Sequence, residues 1–452
     1  MRLIVPRPHS AFTLNLLIAM NTIPLLRTVM PYRWLLLFCA LSPMSCQDSE
    51  PSFAPTVPMY SSAVVTSWLP LQLQLSQATA LNTIVSPRRF AYTGIALYEA
   101  IVPGFSGYQS LAPQLNGMPP LPHVVPGTSY YWPASANAAM AAISRSFNPT
   151  TSAANKAAID SLEATNMALY QRERPAEELM RSAEFGKQIA VAVFEWSKTD
   201  GSDNLTPFTL PVGPGMWVPT PPAFAPPVVP NWGSCRLLVR NSDAGAEQGA
   251  PISYSEDPKS AYAAQAREVY DLSQHLDADQ RAIAVFWNGN SWYSVLSQVL
   301  AKKKPRLEVA AAAVVLLTVS MSDGAVCILK GKYQYTCVRP VTYIRTVLNH
   351  PTWLPIITTP AHPEYPGGHS VQSGAAAEAL TISFGDHYAY TDTPYNKAAG
   401  SPRSYDSFAE AADEAAISRL YGGIHYRKTT EVSILQGNII ARNVAQRLKF
   451  KR

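Results

Sequence analysis

The chain is poor in charge. Only 15% of its 452 residues are Asp, Glu, Lys or Arg, against 47% that are hydrophobic. The 36 basic and 31 acidic residues leave a net charge of +5, and no Lys/Arg stripe accompanies it, so no nucleic-acid partner is expected. Cysteine is scarce as well, with five in the whole chain. That is too few for a disulfide framework at this length, and the spacing of Cys327 and Cys337 does not establish a pair. Strict apolar–polar alternation is nearly absent, so little sheet is expected. Nothing repeats at a solenoid period. The apolar run from Val309 to Met321 is short for a bilayer and reads as a buried helix.

The N-terminus reads as a targeting segment. Arg33 precedes an apolar run from Trp34 to Leu41, followed by small residues and Cys46. Met30-Pro31-Tyr32-Arg33 makes a normal basic start, which would leave 1–29 as an upstream extension. Ser45-Cys46 fits a lipoprotein cleavage site with Cys46 acylated as a lipid anchor; a plain signal peptide is the alternative. Both readings imply export, to the periplasm or the cell surface.

At this length the chain holds two domains or one large one. After the leader, 1–46, comes a polar tether, 47–58. From 59 to 202 the pattern is helical. Ser86-Pro87 makes a cap and first-turn pair ahead of 88–101, Ala-rich stretches follow at 134–146 and 152–171, and 176–198 is amphipathic. From 203 to 256 the prolines, among them Pro207, Pro211, Pro221, Pro222 and Pro230, exclude regular helix. Trp217, Phe224 and Trp232 are interleaved with them, which favours an ordered strap over a disordered linker. Asp257-Pro258 reads as the start of the next helix. Others are expected at 278–287, 291–301, 306–321, 338–349, 369–384, 405–420 and 425–448. The expected fold is mostly α: two helical bundles, 59–202 and 257–452, joined by the proline-rich strap.

Three short stretches in the second bundle carry the chemistry. They are Lys332, six residues and Arg339-Pro340; Pro366-Gly367-Gly368-His369; and Ser418-Arg419 with Gly422 and His425. Alone, each reads as surface charge or an ordinary turn. Together they offer three permanent cations, two imidazoles and a glycine turn before a helix, which suits a compact oxyanion such as vanadate or phosphate. Gly422-Gly423 would break a helix between Arg419 and His425 and let both converge.

In this order the stretches resemble the superfamily that joins vanadium-dependent haloperoxidases to type-2 phosphatidic acid phosphatases, whose pattern is K-x6-R-P, P-S-G-H and S-R-x3-G-x-H-x3-D. Gly367 stands where the family has Ser, and Thr429 where it has Asp. The strap segments Gly213–Trp217, Pro219–Phe224 and Pro230–Gly233 also resemble bacterial haloperoxidase-like proteins. The resemblance implies the haloperoxidase/acid phosphatase-like α fold and a vanadate cofactor, whose place phosphate can take. It implies Lys332, Arg339, Gly367, Gly368 and Arg419 around the oxyanion, His369 as acid–base group, and His425 as vanadium ligand or, in phosphatases, nucleophile. His362, five positions before Gly367, matches a histidine of bromoperoxidases where chloroperoxidases carry an aromatic, and is the halide-side candidate. Asp323 and Arg345 are candidate partners behind the site, and Ser418 reads as structural. Trp287 and Trp292 read as core or pocket walls. The missing serine hydroxyl should cost about 1.5–3 kcal/mol of oxyanion affinity, and Thr429 cannot give His425 the charge an Asp would.

The leading reading is therefore a haloperoxidase that uses hydrogen peroxide to oxidise halide, with bromide or iodide favoured. An acid phosphatase with a phosphohistidine intermediate and a non-catalytic anion-binding descendant are the alternatives. A homodimer is expected by analogy with related bundles.

Overall fold

The computed structural model describes residues 59–79, 84–289 and 291–452. The targeting segment, the start at Met30, Cys46 and the tether lie outside them. Thirteen α-helices occur among the described residues: α1 (Ala63–Ala78), α2 (Ser86–Glu99), α3 (Trp132–Phe147), α4 (Ala153–Tyr170), α5 (Ala176–Ser197), α6 (Ala261–His275), α7 (Ala278–Gly289), α8 (Trp292–Lys303), α9 (Leu307–Tyr335), α10 (Pro340–Thr346), α11 (Gly368–Phe384), α12 (Phe408–Tyr421) and α13 (Arg427–Arg447). The sheet is one antiparallel pair, β1 (Tyr390–Asp392) and β2 (Arg403–Tyr405). The protein is mostly α, as its scarce alternation implied.

The start of one helix and the length of another differ most from the sequence reading. Asp257-Pro258 does not open a helix. Asp257 Oδ1 instead accepts from the Lys259 N–H at 2.8 Å, closing a turn. Ser260 is the true cap, its hydroxyl accepting from the Ala263 N–H at 3.1 Å. α9 does not stop at 321 but runs for 29 residues. It is long and apolar enough to cross a membrane by length and composition, yet 94% of its apolar window is buried by the rest of the protein, as in a core helix. Enclosure by α2, α11 and α13 lets the helix continue past the apolar run.

Residue 323 explains part of that continuation. Asp323 is fully buried in α9, and its carboxylate accepts from the N–H groups of Leu238 and Val239 and from Ser242 Oγ, at 2.7, 3.0 and 2.7 Å. It anchors the second half of the proline strap rather than standing behind the oxyanion residues. Burial pushes its carboxyl up to about 6. Arg345 lies in the last turn of α10, half-buried.

The strap is held at several points. Trp217 is buried and its N–H donates to Thr336 O at 2.7 Å, Gly215 O accepts from the Val338 N–H, and Val228 N–H donates to Ala361 O. These bonds fasten the strap to the segments on either side of Arg339. Phe224, by contrast, is 61% exposed, so not every strap aromatic is packed. Cys235, Cys327 and Cys337 are free thiols.

The crossing of α11 and α13 sets the position of everything that follows. A β-carbon on Gly374 would collide with Ile434 O, and one on Gly437 with Val371 O. The two glycines let the helix backbones touch. That contact holds the N-terminus of α11, with His369, beside the N-terminus of α13, just after His425.

Candidate active site

Five chain segments converge. Lys332 comes from the last turn of α9, Arg339 caps α10, and the loop 355–367 leads into α11. Arg419 ends α12, and His425 lies in the link to α13. The break between Arg419 and His425 is as expected: Gly422 caps α12 and Gly423 takes a φ of +76°, which favours glycine. Lys332, Arg339 and Arg419 are 0–1% exposed and His425 is 3% exposed.

Lys332 is not a dangling point charge. Its ammonium donates to the carbonyls of Pro363, Glu364 and Pro366 at 2.8, 3.0 and 2.6 Å. Three protons meet three acceptors, so Lys332 shapes the loop that presents Gly367 and Gly368. Burial first, and then Arg339, pull its pKa well below the usual lysine value.

Arg339 spreads its guanidinium over the centre. Nε donates to His362 O at 2.9 Å, and Nη2 donates to His362 Nδ1 at 2.9 Å. Nη1 donates to Ile424 O at 2.8 Å and to His425 Nε2 at 3.2 Å. His362 is accordingly buried, 4% exposed. Arg419 donates from Nε to Ser418 Oγ at 2.9 Å and from Nη2 to Ala284 O at 3.2 Å. Ser418 thus positions Arg419. Burial lowers Arg339 to about 10 and Arg419 to about 9.

The sequence reading missed Glu364. Its Oε1 lies 2.7 Å from His425 Nδ1 and accepts from the Tyr426 N–H at 3.2 Å. Its Oε2 accepts from Thr429 Oγ1 at 3.0 Å. Burial raises its pKa, while Arg339 and Lys332 pull the other way. Thr429 therefore does not leave His425 without a carboxylate; it braces one that arrives from the loop. The available signal was that Glu364 is the one acid between His362 and Ser370.

Gly367 has a φ of −73°, so its backbone does not require glycine. Its N–H is already used, donating to Ser433 Oγ at 2.9 Å. A β-carbon there would lie 3.4 Å from each of Ser370 Oγ, Ser433 Oγ and Thr429 Cγ2, an ordinary contact distance. Ser370 Oγ is buried without a hydrogen-bond partner. Two hydroxyls thus border the space that a serine side chain would fill. Gly368 opens α11 against Ile84 and Ile328.

His369 differs from the six other charged or imidazole residues, Lys332, Arg339, His362, Glu364, Arg419 and His425, in being partly exposed. It lines a cleft with Phe90, Trp287, Trp292, Tyr293 and Met321, and its ring is hydrogen-bonded to the Trp287 backbone. Trp287 and Trp292 stack with centroids 5.4 Å apart, so they are cleft walls as well as core. Burial and then Arg419 hold His369 well below the usual imidazole range. Burial and then Arg339 do the same to His425. His123, His275 and His387 are exposed, and His350 stacks on Tyr270 away from this centre.

The charge count tests whether an oxyanion fits. Three buried cations face one buried carboxylate, and a surplus of desolvated positive charge favours an anion. Ser370 Oγ and a His425 Nε2 that accepts a hydrogen bond add two groups suited to a tetrahedral oxyanion. Among the described residues no group of three or more His, Cys, Asp or Glu is placed to hold a metal cation. The donor set fits vanadate or phosphate.

A family model, the VCPO second helical-bundle domain, matches residues 312–451, the span that carries Lys332, Arg339, Glu364, His369, Arg419 and His425. A bacterial vanadium-dependent iodoperoxidase superposes with a TM-score of 0.79 at 29% identity, covering 87% of this chain and 97% of its own. A bacterial vanadium-dependent chloroperoxidase in its holo form superposes with a TM-score of 0.64 at 16% identity, covering 82% of this chain and 94% of its own. Its apo form gives 0.65 at 17% over the same shares. No curated protein matches the chain by sequence. Residues 312–451 thus match the second helical-bundle domain of this family, and the chain shares its fold with bacterial vanadium-dependent haloperoxidases.

Proposed function

We propose that the protein is a vanadate-dependent haloperoxidase that oxidises iodide or bromide with hydrogen peroxide. The observation that carries this reading is the state of His425. Arg339 can only donate, so His425 Nε2 must accept, and its proton sits on Nδ1 against Glu364. Nε2 thus carries a lone pair that Arg339 holds in this structure and that would pass to a vanadium centre once the guanidinium turned to the oxyanion. Arg339 and Arg419 would neutralise the oxyanion, and Lys332 would hold the glycine turn and add its charge. Bound vanadate supplies a Lewis acid that activates peroxide towards a halide. His369, neutral and open to the cleft, would take a proton at a ring nitrogen and return it.

Iodide and bromide are favoured over chloride on two grounds. His362 shares the guanidinium of Arg339, and the 29%-identical structural relative is an iodoperoxidase. We also infer export, from Arg33 and the run Trp34–Leu41, with Cys46 as a lipid anchor, and a homodimer as the assembly.

A phosphatase is the second reading, and Glu364 is the observation that favours it. A carboxylate on Nδ1 would also strengthen His425 as a nucleophile towards phosphorus. The test is peroxide-dependent iodide and bromide oxidation by residues 47–452 with and without vanadate, beside His425→Ala and Arg339→Ala. Vanadate-dependent turnover lost in both variants supports the peroxidase. Phosphate-ester hydrolysis inhibited by vanadate moves the assignment to phosphatase, and the absence of both leaves an anion-binding protein.

A further inference from the structure

We infer that Glu364 is the positioning residue of this site, holding His425 as the Nδ1–H tautomer with Nε2 directed at the oxyanion. The inference deepens the vanadate reading and rests on it for its binding readout.

The geometry is closed on every side. Glu364 is 1% exposed and its two oxygens receive three donors: His425 Nδ1, the Tyr426 N–H and Thr429 Oγ1. Each comes from the same stretch, 425–429, so the carboxylate clamps the start of α13 as well as the ring. The glutamate is itself fixed from behind, because its backbone carbonyl accepts from Lys332 Nζ. On the opposite edge of the ring, Arg339 Nη1 donates to Nε2. A carboxylate on one nitrogen and a guanidinium on the other leave a single proton arrangement. A ring free to exchange tautomers would present Nε2–H for part of the time and could not ligate then. The Thr429 hydroxyl replaces no charge; it orients one that comes from 65 residues earlier.

The decisive experiment uses full-length protein labelled with 15N-histidine and reads the His425 ring nitrogens by NMR without vanadate. Vanadate affinity is measured separately by titration. Wild type is expected to show protonated Nδ1 and unprotonated Nε2. Glu364→Leu, which leaves Nδ1–H without an acceptor, should turn the ring so that an unprotonated Nδ1 faces Arg339, populate the Nε2–H form and weaken vanadate binding roughly 10–100-fold, the usual effect of removing a residue behind a ligand. Supplying the carboxylate from α13, in Glu364→Leu with Thr429→Asp, should restore the Nδ1–H form and most of the affinity. An unchanged tautomer in Glu364→Leu overturns the inference, as does a double variant no better than Glu364→Leu. Should Glu364→Leu fail to fold, Thr429→Val removes one brace at nearly constant volume. It is expected to shift the tautomer part-way, and no shift overturns the inference. Wild-type protein that binds no vanadate sinks the functional reading instead, since the tautomer is read without it.

Discussion

Nη1 of Arg339 lies 3.2 Å from Nε2 of His425. The same guanidinium reaches His362 Nδ1 at 2.9 Å, so one planar cation bridges two imidazoles. A lysine cannot make that fork. Arg339→Lys should therefore lose hydrogen bonds to both rings while keeping the charge. With about 1.5–3 kcal/mol per bond to a charged group, vanadate affinity should fall at least tenfold. A vanadate titration checks this, and an unchanged Kd would show that charge alone matters.

Gly367 invites the opposite change. Its φ of −73° suits any residue, and the space for a β-carbon is bounded at 3.4 Å. Gly367→Ser should fold normally and add one hydroxyl to the oxyanion. The expected gain is about 1.5 kcal/mol or more in anion binding, read as a tighter Kd for both vanadate and phosphate. A Kd no better than wild type would mean that Ser370 or Ser433 captures the new hydroxyl.

Gly437 tests the link between helix crossing and site. Alanine there would push against Val371 O and Ala375 N on α11. Overpacking of this kind costs about 1–3 kcal/mol, so Gly437→Ala should lower the Tm. Because α11 carries His369 and α13 follows His425, oxyanion affinity should fall with it. A lower Tm with unchanged affinity would show that the site tolerates movement of the crossing.

Asp323 gives the chain a pH signature away from the site. Burial raises its carboxyl from 3.8 to about 6 in the folded protein. Between those values the native state binds more protons than the unfolded one, so this group's contribution to stability is present below pH 3.8 and is lost as pH rises through 6. The shift corresponds to about 3 kcal/mol at pH 7. Asp323→Asn removes the ionisation and keeps one acceptor oxygen, enough for the Leu238 or the Val239 N–H but not both, a loss that does not vary with pH. The stability of Asp323→Asn relative to wild type should improve from pH 4 to pH 7 in thermal or urea unfolding. A difference that is flat with pH would mean the native Asp323 does not titrate in that range.

Much of the architecture was legible because helix signals are local. The first-turn proline Pro87, the glycines after Arg419 and the apolar periodicity of 176–198 act within a few residues of themselves, and α2, α5 and the end of α12 fall where those signals put them, although Val85 and not Ser86 stands at the cap position of α2. Asp257-Pro258 misled because the same Asp side chain can close a turn or cap a helix, and only the register of the following residues decides between them. α9 ran past its apolar run because surrounding helices, and not its own sequence, keep its second half out of water.

The sequence by itself determined which groups this site owns: Lys332, Arg339, His369, Arg419 and His425, and the departures at Gly367 and Thr429. Charge, hydrogen-bonding capacity and backbone freedom are properties of a residue, and they can be read from a string. What those groups touch was decided by the tertiary structure alone. The meeting of Glu364 with His425 spans 61 residues, and the capture of Lys332 by three carbonyls follows from how the loop 355–367 is folded over α9. The access of His369 to an aromatic cleft likewise depends on where α7 and α8 pack. The first two are contacts of about 3 Å between segments remote in sequence, and no local pattern encodes such a distance.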